Sequence, residues 1–123
     1  MPRDTGLDTL LDLDGTIIDQ GDGYWVKIEA RLLDRPTRER PHGIAYSLTL
    51  HDPHGQRILG FDNAHAVRSR KRRRYSGRHV EYDHAHQHRR DPGKPYTFVD
   101  PYQLLSDFFE AVDRVLKQHR NQA

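Results

Sequence analysis

The 123 residues include no cysteine. Disulfides and thiolate metal sites are therefore excluded, and a reducing compartment fits. No apolar run approaches the roughly 20 residues that a membrane helix needs. The opening stretch, MPRDTGLDTL, has no signal-peptide apolar region. Together these absences predict a soluble, cytoplasmic protein with no membrane partner. Apolar residues are themselves scarce, at 34% against 31% charged. A chain of this length suits a single domain over residues 1–123 with one modest core. The excess of polar residues assigns part of it to mobility or to a charged partner. No internal repeat is present.

What the sequence does have is charge in one place. Arg68 to Arg90 holds nine Lys/Arg against Glu81 and Asp83, a local charge of +7 within a total of +2, which leaves −5 for everything else. A concentrated basic segment on an acidic body points to a polyanion such as nucleic acid. The same region, Phe61 to His88, carries five of the nine histidines.

Taken in order, residues 1–8 read as a frayed end. Thr9 to Asp19 has two apolar runs flanking Asp14-Gly15, which predicts a tight hairpin, and Gly21-Asp22-Gly23 predicts a second turn. Tyr24 to Leu33 alternates strictly. Tyr24, Val26, Ile28, Ala30 and Leu32 share one face, and Lys27, Glu29 and Arg31 the other, as in a strand with one buried side. Trp25 falls on the polar face, where it either covers the sheet or stacks on a base. Ile44 to His51 alternates in the same way. Asp52-Pro53-His54-Gly55 is a β-turn sequence, and Arg57 to Phe61 returns as the next strand. Residues 68–80 read as a basic flexible loop, Glu81 to His88 as a final strand, and Tyr96 to Val99 as a short extended piece. Asp100 then caps a helix with Pro101 at its first position and Gln103 placed for a capping box. Leu104, Leu105, Phe108, Phe109, Val112, Val115 and Leu116 form its apolar stripe. The expected fold is α+β: an antiparallel meander of four to six strands with one long C-terminal helix packed on one face.

Asp12-Leu13-Asp14-Gly15-Thr16 matches the opening motif of haloacid-dehalogenase-like phosphatases. Those enzymes need a parallel sheet with helical crossovers, whereas here the motif runs straight into a period-two strand. An Asp-Gly hairpin accounts for it with less.

The histidines suggest phosphodiester chemistry. One imidazole near neutral pKa can take the proton of an RNA 2′-hydroxyl, and a second can protonate the 5′-oxygen leaving group. Neighbouring guanidinium groups stabilise the charge that develops on phosphorus. His84 and His86 are the expected base and acid, with His65 as a third member. Asp62 or Asp83 would orient an imidazole, and Tyr82 stands with Arg78 and Arg89 among the other catalytic parts. Arg70, Lys71, Arg72, Arg73 and Arg74 would grip the backbone of RNA with Arg78 and Arg89, and Tyr75 would stack on a base. This route uses no cofactor. The alternative is a divalent metal held by His84, His86 and His88, which alternate and would share one face of a strand. A non-catalytic binding protein for nucleic acid or for a protein partner is the other alternative.

These phrases also resemble a family, the TumE-type toxins of prokaryotic toxin–antitoxin systems. The resemblance covers most of the chain. It rests on LLDLDG (Leu10 to Gly15), GYWVKIEAR (Gly23 to Arg31), RPHGIAYSLTLHD (Arg40 to Asp52), GFDNAHAV (Gly60 to Val67), YDHAHQH (Tyr82 to His88) and YQLLSDFFEAVDRVL (Tyr102 to Leu116). It implies a small bacterial toxin acting by RNA cleavage, neutralised by an antitoxin that is often a helix-turn-helix DNA-binding protein, and it leaves room for a homodimer. The matching positions are Asp62, Asn63, His65, Asp83, His84 and His86. Between Val67 and His79 this chain departs from the pattern, with an arginine tract in place of a shorter or His/Pro-containing link.

Overall fold

The computed structural model describes residues 5–36, 43–63, 77–81 and 94–121. The elements are α1 (Thr5–Asp12), β1 (Thr16–Gly21), β2 (Tyr24–Leu32), β3 (Ile44–His51), β4 (Arg57–Asp62), β5 (Gly77–Glu81), β6 (Lys94–Tyr96) and α2 (Pro101–Asn121). The six strands form one sheet in the order β1-β2-β3-β4-β5-β6, and every neighbouring pair is antiparallel. The expected meander with a C-terminal helix is the fold observed.

Period two sets the two faces of this sheet. Val26, Ile28 and Ala30 on β2 stand beside Leu50, Leu48 and Tyr46 on β3, which in turn stand beside Leu59 and Phe61 on β4. All are buried, in one core with Leu104, Phe108, Ala111, Val112, Val115 and Leu116 of α2. Helix α2 begins where its capping chemistry places it. The Asp100 carboxylate accepts the Gln103 N–H at 2.7 Å, and the Asp100 carbonyl accepts the Leu104 N–H at 3.0 Å. The reciprocal half of the capping box is not made, because the Gln103 side chain donates forward to Asp107 at 2.7 Å.

Three expectations are corrected. Thr5 to Asp8, taken as frayed, form the first turns of α1, and the segment read as a hairpin is helix, turn and strand. Leu7, Leu10 and Leu11 have helical spacing, and Leu10 is fully buried in the core, so packing selects the helix over the strand. The Asp14-Gly15 turn survives as the link into β1. Asp14 Oδ1 accepts the Ala30 N–H at 2.9 Å, and the Gly15 N–H donates to the Ile28 carbonyl at 2.7 Å. The phosphatase-like motif thus fastens α1 to β2, within a wholly antiparallel sheet. Second, the proposed loop over 68–80 ends in a strand, since Gly77 to His79 and Val80 belong to β5. Pairing with β4 on one side and β6 on the other forms that strand without any period of its own. Third, the short piece expected at Tyr96 to Val99 lies earlier, at Lys94–Tyr96. Of the strand expected over Glu81 to His88, only Glu81 is among the described residues, and it closes β5.

The turns between β1 and β2 and between β3 and β4 meet at one end of the sheet. Gly21, Asp22 and Gly23 all have positive φ (87°, 56° and 88°). A Cβ on Gly23 would come within 2.9 Å of Pro53 Cβ, so this position needs glycine for space as well as for conformation.

Candidate functional site

At the opposite end of the sheet, three consecutive residues of the FDNAH phrase meet three different fates. Phe61 points to the helix. Its ring centroid lies 5.4 Å from that of Phe108, 5.1 Å from that of Tyr96 and 4.7 Å from that of His79. Asp62, one residue on, is half-buried and stands in register with Arg78 of β5. The Arg78 Nε lies 3.4 Å from each carboxylate oxygen and donates to Oδ2. Asp62 Oδ1 is buried and has no hydrogen bond to a described residue, so this ion pair uses only part of the carboxylate's acceptor capacity.

Asn63 is fully buried. Its Oδ1 accepts the Tyr46 N–H at 3.0 Å, its Nδ2 donates to the Ile44 carbonyl at 2.6 Å, and its own N–H reaches the Tyr46 carbonyl at 3.3 Å. The side-chain amide copies a peptide group and extends the β3–β4 ladder past the end of β4. Asn63 therefore acts as a clamp that sets where the chain leaves the sheet.

Two tyrosines complete this end. Burial, and then the negative charge of Asp62, holds the Tyr46 phenol well above the usual tyrosine range. Burial raises Tyr96 as well, followed by the hydrogen bond it donates to Asp107 Oδ2 at 2.6 Å and by the charge of Asp107. Both phenols stay protonated at neutral pH. The Tyr96–Asp107–Gln103 chain ties β6 to the first turns of α2.

Of the residues singled out from the sequence, Asp62 and Arg78 come together here, with Asn63 beside them. His65, Tyr82, Asp83, His84, His86, His88, Arg89, Tyr75 and Arg70 to Arg74 lie outside the described residues. Their segments leave β5 at its two opposite ends, 64–76 at the Asp62 end and 82–93 beyond Glu81, which stands opposite Leu59. Residues 64–76 run between Asn63 and Gly77, and residues 82–93 between Glu81 and Lys94, which pairs with His79. Among the described residues no three His, Asp or Glu side chains are grouped to hold a metal ion.

Sequence reasoning missed the Tyr46 and Tyr96 phenols, which it counted as apolar-face and short-strand residues. A buried tyrosine generally has a polar neighbour to find, and that was the available signal. It also missed the pairing of Trp25 with His51, visible only once the β2–β3 register places them opposite each other.

No curated protein and no solved structure matches the chain significantly. A family model does, with the description Toxin TumE, over residues 12–116. That span begins at the end of α1, takes in all six strands and includes the whole buried stripe of α2, and so the chain belongs to the TumE toxin family.

Proposed function

We propose that this protein is the toxin of a toxin–antitoxin pair and that it acts as a metal-independent endoribonuclease. Family membership supports the toxin role, and with it an antitoxin as partner. One observation favours RNA cleavage. The Asp62–Arg78 pair, whose carboxylate keeps a buried acceptor atom without a hydrogen bond to a described residue, lies beside the point where residues 64–76 leave β4, and residues 82–93 leave β5 at Glu81, three residues beyond Arg78. In this reading His84 and His86 are the general base and acid, with His65 as a third member. Asp62 and Asp83 orient imidazoles, and Tyr82 assists. Arg78 and Arg89 stabilise the charge on the phosphorane. Arg70 to Arg74 hold the RNA backbone and Tyr75 stacks on a base.

Induction without the antitoxin tests this directly. Wild type is expected to arrest growth, and the His84→Ala/His86→Ala double variant is expected not to. Equal arrest by both would remove the catalytic assignment. Digestion of RNA by purified protein should survive a chelator and leave 2′,3′-cyclic phosphate ends. Cleavage abolished by the chelator would instead favour a divalent metal at His84, His86 and His88.

A further inference from the structure

The face of the sheet turned away from both helices carries a second feature at its other end. Trp25 and His51 are cross-strand partners. Their rings lie parallel, 3.9 Å apart and inclined by 7°. Trp25 is the only tryptophan in the protein. His51 is held from beneath by Thr49, whose hydroxyl lies 2.9 Å from Nε2. Asp19, opposite Trp25 on β1, is turned to its own loop, where Oδ1 accepts the Gly21 N–H at 2.9 Å.

Cations flank this pair. Lys27 stands opposite Thr49, one row along the sheet, and Arg57 stands opposite His51 across the irregularity in β4. The Arg57 stem lies over Gly60, at ordinary van der Waals distance from where a Cβ would stand. A Cβ there would lie 3.9 Å from Arg57 Cδ and 3.8 Å from Thr49 Cγ2. The imidazole pKa is lowered, by burial first and then by the charges of Arg57 and Lys27, against an opposing pull from the Gly55 backbone and Asp52. Each ring covers one face of the other, so the stacked pair offers its outer faces and edges, largely uncharged, between two positive side chains. Both rings are part-exposed.

We infer that the Trp25–His51 pair, with Lys27 and Arg57, is a subsite for single-stranded nucleic acid, where a base stacks on the rings and the cations meet the adjoining phosphates. Aromatic platforms beside cations bind single strands with little sequence preference, because every base has a π-face. The inference rests on the RNA-directed reading for its substrate, but its geometry is independent of that site. His51 lies four residues along β3 from Ser47, the partner of Asp62. That separation is about 13 Å at strand rise, on the same face of the sheet. One strand lying across this face would touch the Asp62–Arg78 end and the Trp25–His51 end together.

The sole tryptophan makes the test direct. The full-length protein is titrated with a short fluorescently labelled 2′-O-methyl oligouridylate, which has no free 2′-hydroxyl to be attacked. Tryptophan emission and probe anisotropy are followed together. Emission should fall in step with binding. Trp25→Ala should weaken binding about 5- to 150-fold, the loss of one stacked base. Trp25→Phe, which keeps a ring, should retain most of the affinity. Lys27→Ala and Arg57→Ala should each flatten the salt dependence of binding. Binding that leaves the emission unchanged and survives Trp25→Ala would overturn the subsite while leaving the ribonuclease reading intact. Quenching and binding by a protein that cleaves no unmodified RNA would support the subsite and remove the ribonuclease reading. Failure to bind, or quenching by a duplex as strong as by the single strand, would also overturn it.

Discussion

The β3–β4 hairpin is closed at its tight end by Asp52 and at its open end by Asn63, two buried residues with short polar side chains. Asp52 works within its own turn. Its Oδ1 accepts the N–H groups of His54 and Gln56, both at 2.9 Å, while its carbonyl accepts that of Gly55. Asn63 bonds to Tyr46 and Ile44, 17 and 19 residues away in sequence. A local closure is set by a few consecutive residues and forms without the rest of the fold. A remote one forms only when the sheet is already in register, and it then defends that register. The turn end is ordinary hairpin chemistry, whereas the open end is where the chain departs into residues 64–76, the segment that carries His65 and the arginine tract.

The difference between the two ends predicts a ranking. Asn63→Ala would strand a buried N–H on Tyr46 and a buried C=O on Ile44 and should cost about 3 kcal/mol, read from urea midpoints at unchanged slope. Asn63→Asp should be nearly as damaging, because a carboxylate has no donor for the Ile44 carbonyl. Asp52→Ala should cost less, about 1–2 kcal/mol, because the freed turn amides can reach water. A loss at Asp52 equal to that at Asn63 would break the comparison. Arg78→Met sharpens it from another side. Stability should move by less than about 1 kcal/mol, as for other part-exposed ion pairs, while RNA cleavage should fall about 10²-fold if the guanidinium serves the transition state. The smallest effect is expected at His51. Its pKa in the fold lies below the ordinary 6.5, so protonation favours the unfolded chain. Its contribution to stability should be complete above pH 6.5 and should decline as the pH falls through the lowered folded value. His51→Gln should remove this part of the acid-side slope, measured as the difference between wild-type and variant urea midpoints across that range.

How much could be read in advance divides along the same line. β2, β3 and the turn at Asp52 to Gly55 follow from alternation and turn chemistry, as does the start of α2 at Asp100 and Pro101. Each is local. α1 was misread because Leu10, Leu11 and Leu13 fit a hairpin limb as well as a short helix, and the contact with α2 decides between them. β5 has no signal of its own in Gly77 to Glu81, because its strand character comes from two neighbours. The Asp62–Arg78 pair and the Trp25–His51 stack are cross-strand products of register, joining residues 16 and 26 positions apart. FDNAH was legible as a phrase of interest, but the division of labour between its Asp and its Asn was not. The same pattern of residues would allow either to face the chemistry.

The placement of α2 has a consequence for how the protein comes into being. The sheet is laid down in chain order, each strand beside the one before it. The apolar face it builds is covered by Leu104 to Leu116, which follow every strand. A ribosome therefore delivers the strands first and their cover last. Until α2 has been made, the apolar residues of the strands lack their cover and the core cannot close. The fold becomes complete in one late step, which withholds a finished toxin until the whole meander has been made.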